Sequence, residues 1–85
     1  MPNQLDNVTP GKILNEDFLA PIGITPTELA KATAIPEDHL TEILNGQRKI
    51  EAEIDLRLCR YFSLTEGYWL RLQTTHDLTA TRRQR

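Results

Sequence analysis

The sequence holds a single cysteine, Cys59. It therefore forms no intrachain disulfide, and a lone thiol fits a reducing compartment. Nowhere do about 18 apolar residues follow one another, which excludes a membrane-spanning helix. The first residues, Met1-Pro2-Asn3-Gln4-Leu5-Asp6, lack the basic stretch and apolar core of a secretion signal, so a cytoplasmic location is expected. Glycine is sparse, at four residues, and forms no phosphate-cradling loop. The two histidines, His39 and His76, are far apart and have no metal-ligand spacing with Cys59. There is no Ser-His-Asp set and no paired-carboxylate cleft. No catalytic residue, metal or cofactor is expected. No segment alternates apolar and polar residues long enough for a strand, and neither an internal repeat nor a low-complexity block is present.

What remains is a chain of 85 residues, one domain with a thin core. Its net charge of −2 conceals an asymmetry. Three of the ten basic residues, Arg82, Arg83 and Arg85, fall in the last four positions, so the first 81 residues carry seven bases against twelve acids, a net −5. An acidic body with a basic tail is not the usual charge of a nucleic-acid binder, and it suits a basic protein partner.

The helical signals are strong. Residues 1–8 are polar and read as a flexible arm. Thr9-Pro10 opens a first helix, with Thr as cap and Pro where its missing N–H costs nothing. Ile13, Leu14, Phe18 and Leu19 share one side of it, and Pro21 and Gly23 are expected to stop it. Thr25-Pro26-Thr27-Glu28 is a capping box, with Ile24 and Leu29 placed as a hydrophobic staple, and opens a second helix to about Thr33 with Leu29, Ala30 and Ala32 as its apolar or small positions. The link Ala34-Ile35-Pro36 leads to a third helix from about Glu37 to Asn45. Its buried stripe is Leu40, Ile43 and Leu44, with Gly46 free to take the left-handed conformation. A fourth helix, about Ala52–Phe62, carries Ile54, Leu58, Tyr61 and Phe62 on one face, with Leu56 and Cys59 flanking. Thr65 is expected to cap a fifth helix with Tyr68, Trp69, Leu70, Leu72 and Leu78. From Thr79 the apolar period ends, and residues 79–85 read as a basic disordered tail.

Two short helices joined by a three-residue link, the second closed by Asn-Gly, have the form of a helix-turn-helix, although any small bundle has short helices and tight turns. The stretch Thr9-Pro10-Gly11-Lys12-Ile13-Leu14 through Phe18-Leu19, Pro21 and Gly23-Ile24, then Glu28-Leu29-Ala30-Lys31 and Glu42-Ile43-Leu44-Asn45-Gly46-Gln47-Arg48, resembles the HigA family of antitoxins, VapI-like proteins of the Xre type. The resemblance continues through Leu56-Arg57-Leu58, Arg60-Tyr61-Phe62 and Tyr68-Trp69-Leu70 to Leu72-Gln73, covering residues 9–78. It implies an all-α, five-helix lambda-repressor-like fold with a DNA-binding helix-turn-helix. It also implies a homodimer that binds operator DNA in its own promoter as a repressor and neutralises a HigB-type toxin that cleaves messenger RNA.

In such motifs the first turn of the second helix reaches base edges. Here that turn holds Glu37, Asp38 and His39, followed by Thr41 and Glu42. Acids there suit the helix dipole but repel a phosphate backbone, and a carboxylate can accept from cytosine N4. Thr27, at the start of the preceding helix, is a candidate phosphate contact, as are Arg48 and Lys49 in the connection that follows, where Asn45 and Gln47 are further DNA-binding candidates. Lys31 and Arg57 read as surface charges. The chain departs from the family at Pro26, where relatives often carry Gln, at Pro36 in the cap position, and at Ala34, a turn position usually held by Gly. Tyr68 and Trp69 are either core or, with Leu72, part of a dimer interface. Two alternatives stand beside the antitoxin reading: a stand-alone Xre-family transcriptional regulator, and a toxin-binding module with weakened DNA binding.

Overall fold

The computed structural model describes residues 7–84, and among them there are five helices and no strand. The first helix, α1, spans residues 10–22 in three consecutive pieces: an α-helical turn Pro10–Ile13, a π-helical turn Leu14–Leu19 and a closing α-turn Ala20–Ile22. Pro21 does not stop this helix, as its sequence position predicts. It lacks the N–H that an α-helix would direct at the carbonyl of Asp17, and the wider π register takes up the fault, with the Ala20 N–H bonded to the Asn15 carbonyl. The chain ends α1 two residues later at Gly23, which is left-handed and donates its N–H to Leu19 O at 2.8 Å.

Helix α2, Pro26–Thr33, begins with the capping box: Glu28 N donates to Thr25 Oγ1 at 3.1 Å, and Thr25 N to Glu28 Oε1 at 2.8 Å. It closes at Ala34, which takes the left-handed conformation at φ 63°. The following turn is internally tied, because the buried Thr33 hydroxyl donates to Leu29 O and accepts the Ile35 N–H. Helix α3, Glu37–Leu44, and helix α4, Ala52–Phe62, follow. Helix α5 runs from Tyr68 to Arg83. It extends past Leu78, where the apolar pattern ends and disorder was expected. Ala and Arg are good helix formers, and Arg82 and Arg83 in the last turn complement its dipole.

The start of α5 is also a correction. Thr65 does not cap it with its side chain; the N-cap is Gly67. The exposed amides of its first turn are met by Asp55 of α4, only 1% exposed, whose Oδ2 accepts from Gly67 N at 2.7 Å and whose Oδ1 accepts from Trp69 N at 2.8 Å and Leu70 N at 3.1 Å. One buried acid thus locks two helices together.

The core is a single cluster drawn from every helix: Leu14, Leu19, Leu29, Ile35, Leu40, Ile43, Ile50, Leu58, Cys59 and Trp69. Phe18 is an aromatic hub against it, with ring centroids 4.9 Å from Trp69 and 5.0 Å from Phe62. Trp69 is 0% exposed, so it has no surface to offer a second copy, and its assignment to a dimer interface is withdrawn. Tyr68 and Leu72 are half-buried. Four side chains expected on or beside apolar faces are outside the core: Ala32, Leu56, Tyr61 and Leu78 are exposed. Of the N-terminal arm, Asn7 is fastened to α5, its side-chain amide donating to His76 O at 2.9 Å; residues 1–6 lie outside the described residues. No helix among the described residues is long and apolar enough to cross a membrane.

Candidate nucleic-acid interface

Helices α2 and α3 are held as a pair by the short turn between them and by Leu29, Ile35 and Leu40, all buried in the same cluster. Two further devices set their position. Arg57 of α4 donates from Nη1 to the Thr33 carbonyl at 3.1 Å, satisfying a carbonyl at the end of α2, while its Nε and Nη2 bind Glu53 one turn away. Arg57 is therefore a structural tie between α4 and α2, not the simple surface charge expected from the sequence. The i, i+4 spacing to Glu53 signals the ion pair, but nothing local signals the carbonyl. The second device is Gly11. It is buried in the first turn of α1, and a side chain there would sit on the Ile43 carbonyl near the end of α3. The absence of a Cβ lets α1 lie directly on α3.

The N-terminal ends of α2 and α3 lie side by side. The hydroxyl of Thr27 donates to Glu37 Oε2 at 2.7 Å. Thr27, Glu37, Asp38 and Thr41 are exposed, and His39 is half-buried. Asp38 Oδ1 accepts the neighbouring His39 N–H at 3.0 Å. Thr27, Glu37 and Asp38 share that end of the pair, and Thr41 lies halfway along α3.

The C-terminal end of α3 carries the remaining candidates. Asn45 is its C-cap, and Gly46, left-handed at φ 76°, lets the Gln47 N–H return to Glu42 O at 2.8 Å. That reversal sends Arg48 back along α3, where its Nε donates to Glu42 Oε1 at 2.7 Å. Lys49 is directed the other way, its Nζ 3.5 Å from Asp77 Oδ2 on α5. Asn45, Gln47, Arg48 and Lys49 are all exposed. Behind them, buried Gln73 anchors the connection, accepting the Ile50 N–H at 3.0 Å and donating to Asp77. The surface as a whole is polar and hydrogen-bonding but carries little unpaired positive charge.

Among the described residues no group of three or more His, Cys, Asp or Glu side chains is arranged to hold a metal ion. Cys59 is buried under α5, its Sγ 3.3 Å from Thr65 O and 3.6 Å from Asp55 Oδ1. Burial pushes this thiol above its ordinary range, and the nearby Asp55 carboxylate adds to the rise.

No protein-family model matches the chain. Individual relatives do. Virulence-associated protein I of Dichelobacter nodosus is 41% identical over 76 residues, which are 89% of this chain and 70% of that one. Antitoxin HigA-1 of Vibrio cholerae is 32% identical over 75 residues, 88% of this chain and 70% of the relative. Among solved structures, the antitoxin HigA of Pseudomonas aeruginosa with its higBA promoter superposes at a TM-score of 0.86, with 33% identity over 89% of this chain and 83% of that one. With sequence identity, coverage and helix arrangement in agreement, the chain belongs to the HigA family of helix-turn-helix antitoxins.

Proposed function

We propose that this protein is the antitoxin of a type II toxin–antitoxin module: it binds operator DNA in its own promoter as a repressor and neutralises a HigB-type toxin that cleaves messenger RNA. The observation that carries the DNA-binding half is the adjacency of the two helix N-termini, reported by the Thr27–Glu37 hydrogen bond, on an exposed end of the α2–α3 pair. A recognition helix works from such an end, with its first turn toward base edges and the preceding helix against the backbone. A relative of the same fold has been solved with its promoter. The toxin-binding half is supported by the family and by the acidic body, which attracts a basic ribonuclease. In this reading the protein is cytoplasmic, non-enzymatic and a homodimer, the state that the family resemblance implies and that fits a helix-turn-helix reading two half-sites.

The test is a fluorescence-anisotropy titration against the protein's own upstream DNA at two salt concentrations. The expected result is saturable binding that outcompetes unrelated DNA and weakens as salt rises. Absence of preferential binding by the folded protein overturns the repressor half. Co-purification with the product of the neighbouring gene tests the toxin half. A second reading, a toxin-binding module with weak DNA binding, is favoured by the acids Glu37 and Asp38 in the base-facing turn. It predicts co-purification without operator preference.

A further inference from the structure

Thr27, Arg48 and Lys49, the hydroxyl and the two cations among the candidate contacts of this surface, are each already engaged by an acidic side chain of the protein itself. Arg48 is paired with Glu42, Thr27 with Glu37, and Lys49 with Asp77. Two of those acids are on α3, whose eight residues include Glu37, Asp38 and Glu42 and no lysine or arginine. The pair with the best geometry is Arg48–Glu42, where Nε meets Oε1 at 2.7 Å. The chain reversal at Gly46 brings Arg48 alongside Glu42. Sequence-independent affinity for a duplex comes from cations that neutralise phosphates and release counterions. An arginine that already shares its charge with a carboxylate supplies less of that affinity, and Glu42 adds a charge that repels the same phosphate.

We propose that Glu42 is a specificity-determining residue of the DNA surface: by holding Arg48 it suppresses sequence-independent attachment to phosphates, so that binding depends on contacts to base edges. The inference rests on the DNA-binding reading above and adds the residue that sets its selectivity. The pair is partly solvated, with side-chain exposures of 43% for Arg48 and 44% for Glu42. Exposed pairs of this kind are weak, so Glu42 imposes a factor of about fivefold and not a block. A matching operator then competes for Arg48 where an unrelated duplex does not.

The experiment compares the full-length protein with Glu42→Gln and with the double variant Glu42→Gln/Arg48→Ala. Anisotropy titrations use an unrelated duplex and the protein's own upstream duplex over a series of salt concentrations. Circular dichroism confirms that each variant is folded. The expected result for Glu42→Gln is about fivefold tighter binding to the unrelated duplex, with a salt slope steeper by about one. The ratio of upstream to unrelated affinity falls, and the gain disappears in the double variant. The proposal is overturned if Glu42→Gln binds the unrelated duplex no tighter, or if the double variant keeps the gain, because the effect is then bulk charge and not release of Arg48. Failure of the repressor reading looks different: the unsubstituted protein shows no preference for the upstream duplex, while the unrelated duplex still decides the role of Glu42.

Discussion

Asp55 shows how far a single residue's role can depart from its local context. Along the chain it is one of three acids at the start of α4, where negative charge suits the helix dipole. In the folded protein it is buried and accepts three backbone N–H groups from the start of α5. Asp55→Ala leaves those three donors unpaired in a dry site, and the expected loss of stability is about 3 kcal/mol, measured by urea unfolding. A loss below about 1 kcal/mol would show that water replaces the carboxylate. Cys59, beside it, gives a pH-dependent prediction. Its folded-state pKa is raised, first by burial, so the protonated thiol favours the folded state. That stability is fully present below the unfolded thiol pKa of about 8.5 and is lost as pH rises beyond it. The unfolding midpoint of the native protein should therefore fall more between neutral pH and about pH 10 than that of Cys59→Ala. Parallel pH profiles for the two proteins would refute the assignment.

At the scale of elements, the turn between α2 and α3 is one of two places among the described residues, with Ser63 after α4, where a non-glycine residue is left-handed. Ala34 stands at φ 63°, in the left-handed region that disfavours a Cβ. The family resemblance puts Gly at this position, and the geometry gives the reason. Ala34→Gly removes that strain but adds freedom to the unfolded chain, two effects of similar size. With the steric term the larger, a net gain of about 0.5 kcal/mol is expected, seen as a rise of a few degrees in Tm. A lower Tm would mean that the left-handed residue is not strained. Helix α1 teaches a related lesson. Pro21 and Gly23 both signal an ending, yet only Gly23 ends the helix, because the π turn Leu14–Leu19 absorbs the proline.

For the molecule as a whole, the prediction concerns separable surfaces. The acidic body, the helix-turn-helix end and the Arg48–Lys49 connection are distinct parts of one small fold. Replacing Arg48 and Lys49 with Ala is expected to weaken binding to the upstream DNA several-fold while co-purification with the toxin is unchanged. If a folded double variant loses both activities, the two functions share one surface. The same scale explains the withdrawn interface residue. A thin core needs its largest side chain inside, and Trp69, packed by Phe18, Phe62 and Tyr68, is more valuable there than between subunits.

Helix number, most helix starts, the capping box and most of the apolar stripes of Leu and Ile were legible from residue order, because caps, staples and apolar periods act over a few residues. The family likeness was legible for the same reason, since it rests on the order of those signals from Thr9 to Gln73. Other features depend on residues far apart in sequence that meet only after folding. Asp55 caps a helix that begins thirteen residues later, Arg57 closes the end of α2, and Gly11 admits the Ile43 carbonyl. The pairing of Thr27 with Glu37 and of Arg48 with Glu42 belongs to that second group. A side chain's type states what it is able to bind, and the packing of helices states which partner is within reach.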